Sequence, residues 1–341
     1  MKRLLIILML AAVTIVCFAS ADMSVRSTNE RVNVVFSNSL QTEGSRSSEE
    51  TFILPATEAE IRINRMVIEE RDADGNLLNT LRSIDTDRVR ISNQYVMREL
   101  YSFDVEVVEQ IEENGVTSII TDLDYDLVSL NSVAIPAEIS SAFRGAYESF
   151  ALNYSDSYLR NLPESKPRIL MIGNASIEFN LASFIAWKKA LGFDVDFVST
   201  AECGGNTLTA IDAYIESYYY TYHPDYLILF GDTTGEYALP TNYYQSPDGT
   251  ENDADDNYYT MIEGDDSMPE ILVGRMSFND LGQLLTMINK TRIYESDPFM
   301  ADPSWLNKAL MVAGNYAEGG LQPSTPTLTC DFFAEIFERD G

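Results

Sequence analysis

Two textures of hydrophobic patterning follow each other along the chain. From Val32 to about Leu130 apolar residues recur at every second position. Tyr101, Phe103, Val105 and Val107 alternate with Ser102, Asp104 and Glu106, the period of a strand with one face in a core. Asp72-Ala-Asp-Gly-Asn76, between Ile61–Glu70 and Leu77–Leu78, predicts a hairpin, and Asn114-Gly115 before Val116–Thr121 predicts a second. Short strands at this spacing predict an antiparallel β-rich domain over residues 22–154. Asp122, Asp124 and Asp126 are spaced like the start of a calcium loop, but Leu127 stands where such a loop needs glycine. Leu123, Tyr125 and Leu127 between and beyond these acids predict a strand with a solvated acidic face instead.

Residues 155–167, with Pro163 and Pro167, read as a linker. Beyond it the apolar runs become continuous. Arg168–Gly173, Asp194–Ser199, Tyr226–Gly231 and Ala309–Gly314 are short and apolar, and three of them end in glycine. Runs buried on both faces predict strands of a parallel sheet. Helical spacing separates them. Phe179, Ala182, Phe184, Ala186 and Leu191 predict the buried stripe of one helix, stopped at Gly192; Leu208, Ile211, Tyr214 and Ile215 predict another. Ser277 and Asp280 are spaced as a capping box ahead of a third. Residues 168–341 thus read as an α/β three-layer domain with a mainly parallel sheet and right-handed crossovers.

The amino terminus predicts the destination. Lys2 and Arg3 precede an apolar stretch from Leu4 to Phe18, and Ala19-Ser20-Ala21 supplies the small residues of a cleavage site. This predicts a signal peptide over residues 1–21 and a protein that is secreted or on the cell surface, with no transmembrane segment in the mature chain. The length of 341 residues allows two domains of ordinary size. Acids outnumber Lys and Arg by 53 to 23, a net charge of −30, which excludes nucleic acid as a natural partner. Three Cys and one His argue against a disulfide scaffold and a zinc site.

A doubly wound sheet places its site at the carboxyl ends of its strands. Here the third run ends in Gly231-Asp232-Thr233, and Ala309–Gly314 leads into Asn315-Tyr-Ala-Glu318-Gly-Gly320. Neither is a phosphate-binding glycine motif, so no nucleotide is expected and no cofactor is required. The acid-dense stretch from Asp248 to Asp266 suits structural calcium, with Asp248, Asp253, Asp255 and Asp256 as candidate ligands; an acidic surface loop accounts for it equally.

Several pieces of the second half resemble the gingipain-type cysteine peptidases, secreted bacterial endopeptidases with a caspase-related fold. They are Phe184-Ile-Ala-Trp187-Lys188 with Gly192, Asp225–Asp232, Asp256-Asn-Tyr-Tyr259, Ile271-Leu-Val-Gly274-Arg275-Met-Ser277, Ile293-Tyr-Glu295, Trp305-Leu306 with Ala309–Gly314, and Ala317-Glu318-Gly-Gly320. Their order and spacing carry the likeness, from about Lys166 to Gly341, and the β-rich half takes the place of the family's pro-segment. The resemblance implies thiol proteolysis of a protein or peptide substrate. It places the catalytic His and Cys beyond Gly341, so residues 1–341 are expected to be an inactive fragment. Glu318 corresponds to the glutamate that orients the catalytic His in arginine-specific members. The aspartate that binds substrate arginine has no clear counterpart, since Thr329 and Pro326 fall at its place and Asp331 only near it. His223, at the start of a strand, is expected to be structural. Cys203 and Cys330 read as small core residues or free thiols. A non-catalytic secreted or cell-surface binding module, calcium-dependent or not, is the alternative function.

Overall fold

The structure, a computed structural model, describes residues 21–38, 45–82, 84–245, 249, 252–296, 303–313 and 324–340. Its first part follows the period-two pattern. Strands β1 (Ala21–Ser27), β2 (Arg31–Asn38), β3 (Arg46–Ile53), β4 (Ala59–Arg71), β5 (Leu77–Leu81), β6 (Val89–Met97), β7 (Leu100–Glu113) and β8 (Val116–Ser129) form one antiparallel system. β8 is central: β2 and β4 flank it, with β1 and β5 outside them. β7 joins β8 only next to their shared turn, through Gln110–Glu113 and Val116–Ile119, and carries β3 and β6 along the rest of its length. The sheet therefore folds into two layers. Val32, Val34, Phe36, Leu123, Tyr125 and Leu127 from one layer share a core with Phe52, Val89, Phe103 and Val105 from the other. The turn between β7 and β8 has positive φ at Asn114 (53°) and Gly115 (79°), which matches the right-handed strand twist. Asp122, Asp124 and Asp126 lie on β8, as expected of a strand. Asn33 and Asn64 each donate to both Asp124 and Asp126 from the neighbouring strands.

The connection is more structured than an open linker. Short strands β9 (Ile139–Ser140) and β10 (Glu164–Ser165) pair in parallel, and helix α1 (Arg144–Phe150) lies between them in sequence. Leu159 is fully buried, in a cluster with Ile53, Leu100, Phe143 and Tyr147.

Next come β11 (Arg168–Gly173), α2 (Glu178–Ala190), β12 (Asp194–Ser199), α3 (Leu208–Tyr222) and β13 (Tyr226–Phe230). A small hairpin, β14 (Asn242–Gln245) and β15 (Asn252–Asp255), precedes β16 (Leu272–Met276). The order β12-β11-β13-β16 is parallel throughout. Ile169 to Ile172 are buried at every position, as a strand covered on both faces requires. Helix α3 buries Ile211 and Ile215 as its pattern predicts, and adds Tyr218 and Tyr219. Helix α2 buries Phe184 of the expected stripe but not Phe179. Ile177, Leu181 and Phe184 are buried, at steps of four and three, while Phe179 is 90% exposed.

The fourth strand of the sheet is β16. The expected strand Ala309–Gly314 is not one: residues 309–313 have no regular structure, and Gly314 lies outside the described residues. β16 was harder to read as a strand because Gly274 and Arg275 interrupt its apolar run. Helix α4 (Leu281–Ser296) follows. Its cap also differs from the expected one. The Asp280 side chain accepts from Gln283 N at 3.0 Å, and the Gln283 side chain accepts from Asn279 N at 2.8 Å. The cap is thus Asp280 rather than Ser277, and the Gln283 side chain reaches back to the residue before it.

Residues 1–284 and 285–341 form two compact units. In the second, a 3-10 turn (Pro303–Asn307) brings Trp305 to 6.0 Å from the Tyr294 ring. Helix α5 (Ser324–Asp340) holds Cys330, half-buried in mid-helix, and Asp331, which is exposed. No helix among the described residues is long and apolar enough to cross a membrane.

Candidate active site

The first crossover leaves β11 towards β12 and the next returns to the other side of β11 for β13. Between β11 and β13 the strand order therefore reverses, and the carboxyl ends of these two strands are where doubly wound sheets place their sites. Both strands end in glycine for steric reasons. A Cβ on Gly173 would lie 2.8 Å from Ile177 Cδ1; one on Gly231, at φ 143°, would lie 1.9 Å from the Tyr237 carbonyl oxygen. Each glycine lets the chain turn away from the sheet at once.

Three loops form the rim. After β11, Asn174 caps the turn that starts α2 by accepting from Ser176 N at 3.0 Å. After β12, Glu202 accepts from both Ser199 N (2.8 Å) and Ser199 Oγ (2.7 Å), which holds its carboxyl below the usual range. The third loop runs from Asp232 to Thr241 and is closed by Leu239 N donating to Asp232 O at 2.7 Å.

Arg275 of β16 fastens this third loop. Its Nη1 donates to Gly231 O (3.0 Å) and Leu239 O (3.1 Å), and its Nη2 to Pro240 O (3.1 Å). Nε and Nη2 also form a fork with Asp256, both bonds at 2.7 Å. Thr241 Oγ1 donates to the same carboxylate at 2.8 Å. Burial raises the proton affinity of Asp256, but the Arg275 and Thr241 hydrogen bonds and the Arg275 charge outweigh it and hold the carboxyl below its ordinary range. In the sequence Arg275 stands out as a charged residue inside an apolar run and within the family-like motif Ile271–Ser277, but neither signal names its partners.

Of the four aspartates considered for calcium, three are described. Asp256 is bound to Arg275, and Asp255 caps the following turn by accepting from Asn257 N at 2.9 Å. Asp253 is exposed on β15, and Asp248 lies outside the described residues. Among the described residues no group of three or more His, Cys, Asp or Glu side chains is arranged to hold a metal ion.

Cys203 and His223 lie at opposite ends of the sheet. Cys203 follows β12 on the carboxyl side, and burial, then the nearby Glu202 charge, pushes its thiol up to about 11. His223 ends α3 in the left-handed region (φ 45°), donates its N–H to Tyr219 O at 2.8 Å and precedes β13 on the amino side. They form no nucleophile–base pair. Glu318 lies outside the described residues.

The fold is a doubly wound parallel α/β domain whose switch point lies between two glycine-ended strands, joined to a two-layered β domain. Residues 162–339 match the family Peptidase family C25. The chain belongs to this family, as its gingipain-like motifs implied. It is 28% identical over 240 residues to Lys-gingipain W83 of Porphyromonas gingivalis, covering 61% of this chain and 13% of that protein. It is 28% identical over 185 residues to gingipain R2 of the same species, covering 53% of this chain and 23% of that protein. The chain thus spans less than a quarter of the length of either. Among solved structures, the Arg-specific cysteine proteinase gingipain R aligns with a TM-score of 0.40 and 22% identity, over 51% of this chain and 39% of that one. A complex of the RgpB pro- and mature domains aligns with a TM-score of 0.41 and 23% identity, over 51% and 40%.

Proposed function

We propose that this chain is part of a secreted cysteine-type endopeptidase acting on protein or peptide substrates. The match of residues 162–339 to Peptidase family C25 carries this reading. The chemistry needs a thiolate and a base within hydrogen-bond reach. Cys203, with its raised thiol, and His223, at the far end of the sheet, do not supply them. In this reading the reacting pair comes from elsewhere in the protein and is aimed at the switch point between Gly173 and Gly231. Glu318 acts as a positioning residue that holds the imidazole in one tautomer.

The test compares residues 22–341 with the natural protein isolated from culture medium, on peptides with Arg, Lys or an uncharged residue before the scissile bond. The natural protein should begin at Asp22 and cleave in a thiol-dependent manner. Glu318→Ala should lower kcat without abolishing it, with little change in KM. Residues 22–341 alone should be inactive. Absence of thiol-dependent cleavage in the natural protein would end the peptidase reading. Cleavage by residues 22–341 that is lost in Cys203→Ala would move the nucleophile to Cys203.

A further inference from the structure

We propose that the outer face of the β domain binds an uncharged carbohydrate, in a polar hollow formed where β1, β2, β8 and β4 lie side by side. This site is separate from the peptidase reading and does not depend on catalysis.

Two adjoining hollows, of about 530 and 470 Å³, share Thr28, Arg31 and Asp126, and each has the size of a small-ligand site. Their charged lining is Arg26, Arg31 and Arg62 against Glu30, Asp124 and Asp126, three of each sign. The hollow is therefore neutral on a chain of net charge −30. Among the described residues Val128 is the one apolar side chain in the lining. An ionic ligand would find no net attraction there, and an apolar one almost no apolar surface to cover. A neutral ligand dense in hydroxyl groups fits both facts.

The polar groups of the hollow are fixed before any ligand arrives, which lowers the cost of binding. Asp126, its side chain 10% exposed, accepts from Asn33 at 3.0 Å and Asn64 at 3.1 Å and pairs with Arg31 at 3.5 Å. Asp124 Oδ1 accepts from the same two amides, at 2.9 and 3.1 Å. An amide must turn its NH2 group to a carboxylate, so the side-chain oxygens of Asn33 and Asn64 are left on the other side. Among the described residues those two oxygens and Asp124 Oδ2 accept no hydrogen bond. Arg26, exposed, lines the same hollow and supplies donors. A sugar hydroxyl donates and accepts at once, so neighbouring hydroxyls can meet both kinds of group. Asn64 reaches this face through a β-bulge. Ile63 pairs with Tyr125 and Arg65 with Asp124, so Asn64 has no residue opposite it, and Asn64 and Arg65 are both exposed. A bulge gives up ladder pairing to re-aim a side chain; here it brings the second amide onto the two aspartates.

The experiment titrates the intact chain, in a calorimeter, with soluble hexaoses of glucan, xylan, mannan and galactan type and with hexagalacturonate. At least one neutral hexaose should bind saturably, with an affinity unchanged between about 50 mM and about 500 mM salt. Asn64→Ala should weaken that binding about tenfold. Arg26→Ala, at an exposed position whose replacement leaves the fold intact, should weaken it at least about threefold. Phe179→Ala, exposed on α2 of the α/β domain, should bind as the parent does. Absence of binding by every neutral hexaose at about 10 mM would overturn the proposal. Binding of hexagalacturonate alone, lost at high salt, would overturn it too, because the arginines would then be holding an anion. Undiminished binding by folded Asn64→Ala and Arg26→Ala would show that the sugar sits on another surface and remove this hollow from the role.

Discussion

Arg275 shows how much one side chain can organise. It satisfies three loop carbonyls and one carboxylate in a fixed planar arrangement that lysine cannot reproduce. Replacing it with Met leaves Asp256 partly buried and without its cation, and should cost about 3–5 kcal/mol. Arg275→Lys keeps the charge but loses the fork, and should cost about 1–3 kcal/mol. Urea denaturation of both variants checks the ranking; equal stability of Arg275→Met and the parent would show that the clamp holds nothing. The composition made acids abundant, but nothing in the linear order of Asp248 to Asp266 tells which one meets an arginine. That pairing joins the turn after β15 to β16, 19 residues apart.

At the scale of elements, helix α2 separates periodicity from burial. The helix was legible, but the stripe expected to be buried was only partly right, since of its members Phe184 is buried and Phe179 is not. Packing against the sheet selected Ile177, Leu181 and Phe184 and left Phe179 in solvent. Phe184→Ala should therefore destabilise by about 3–5 kcal/mol, because it empties a packed site beside Phe230, 6.4 Å away ring to ring. Phe179→Ala should stay within about 0.5 kcal/mol of the parent. Thermal unfolding of the pair tests the assignment, and equal or greater destabilisation by Phe179→Ala would show that Phe179 is packed after all. The cap of α4 teaches the same lesson. Ser277 was expected to cap it, but the side chain that accepts from a free N–H of the first turn is that of Asp280, from Gln283 N.

For the whole molecule, buried acids link stability to pH. Glu270 is fully buried just before β16 and accepts from Ile262 N (2.6 Å) and Glu263 N (3.1 Å). Burial first, with the neighbouring Asp266 and Glu263 charges, pushes it up from 4.5 to about 7 against those hydrogen bonds. Glu50 in the β domain is likewise pushed to about 7, by burial and then by Glu109. Between these pH values the folded chain holds protons that the unfolded chain has released. Their stabilising contribution is therefore complete below 4.5 and is lost as pH rises through about 7. The slope approaches about 1.4 kcal/mol per pH unit for each group fully in this regime. Glu270→Gln, which cannot ionise, should lose less stability than the parent between pH 5 and pH 8. Urea midpoints at both pH values measure it, and identical pH dependence in the two proteins would show that Glu270 does not titrate in this range.

What the sequence determined by itself was local. Alternation set the strands of the first half, because a strand's side chains change face at every residue. The turn chemistry at Gly75 and Asn114-Gly115 set both hairpins, and the Gly-ended runs set β11 and β13 to within a residue. The tertiary structure alone decided the rest. Strand order, the place of β16 at the sheet edge and the irregular path of residues 309–313 depend on which apolar run finds a neighbour with open hydrogen-bonding groups. The uses of Asn64, Arg275 and Glu270 depend on groups far away in sequence that folding brings within hydrogen-bond range. A polar residue inside an apolar stretch announces only that a partner is needed; the packed molecule supplies which one.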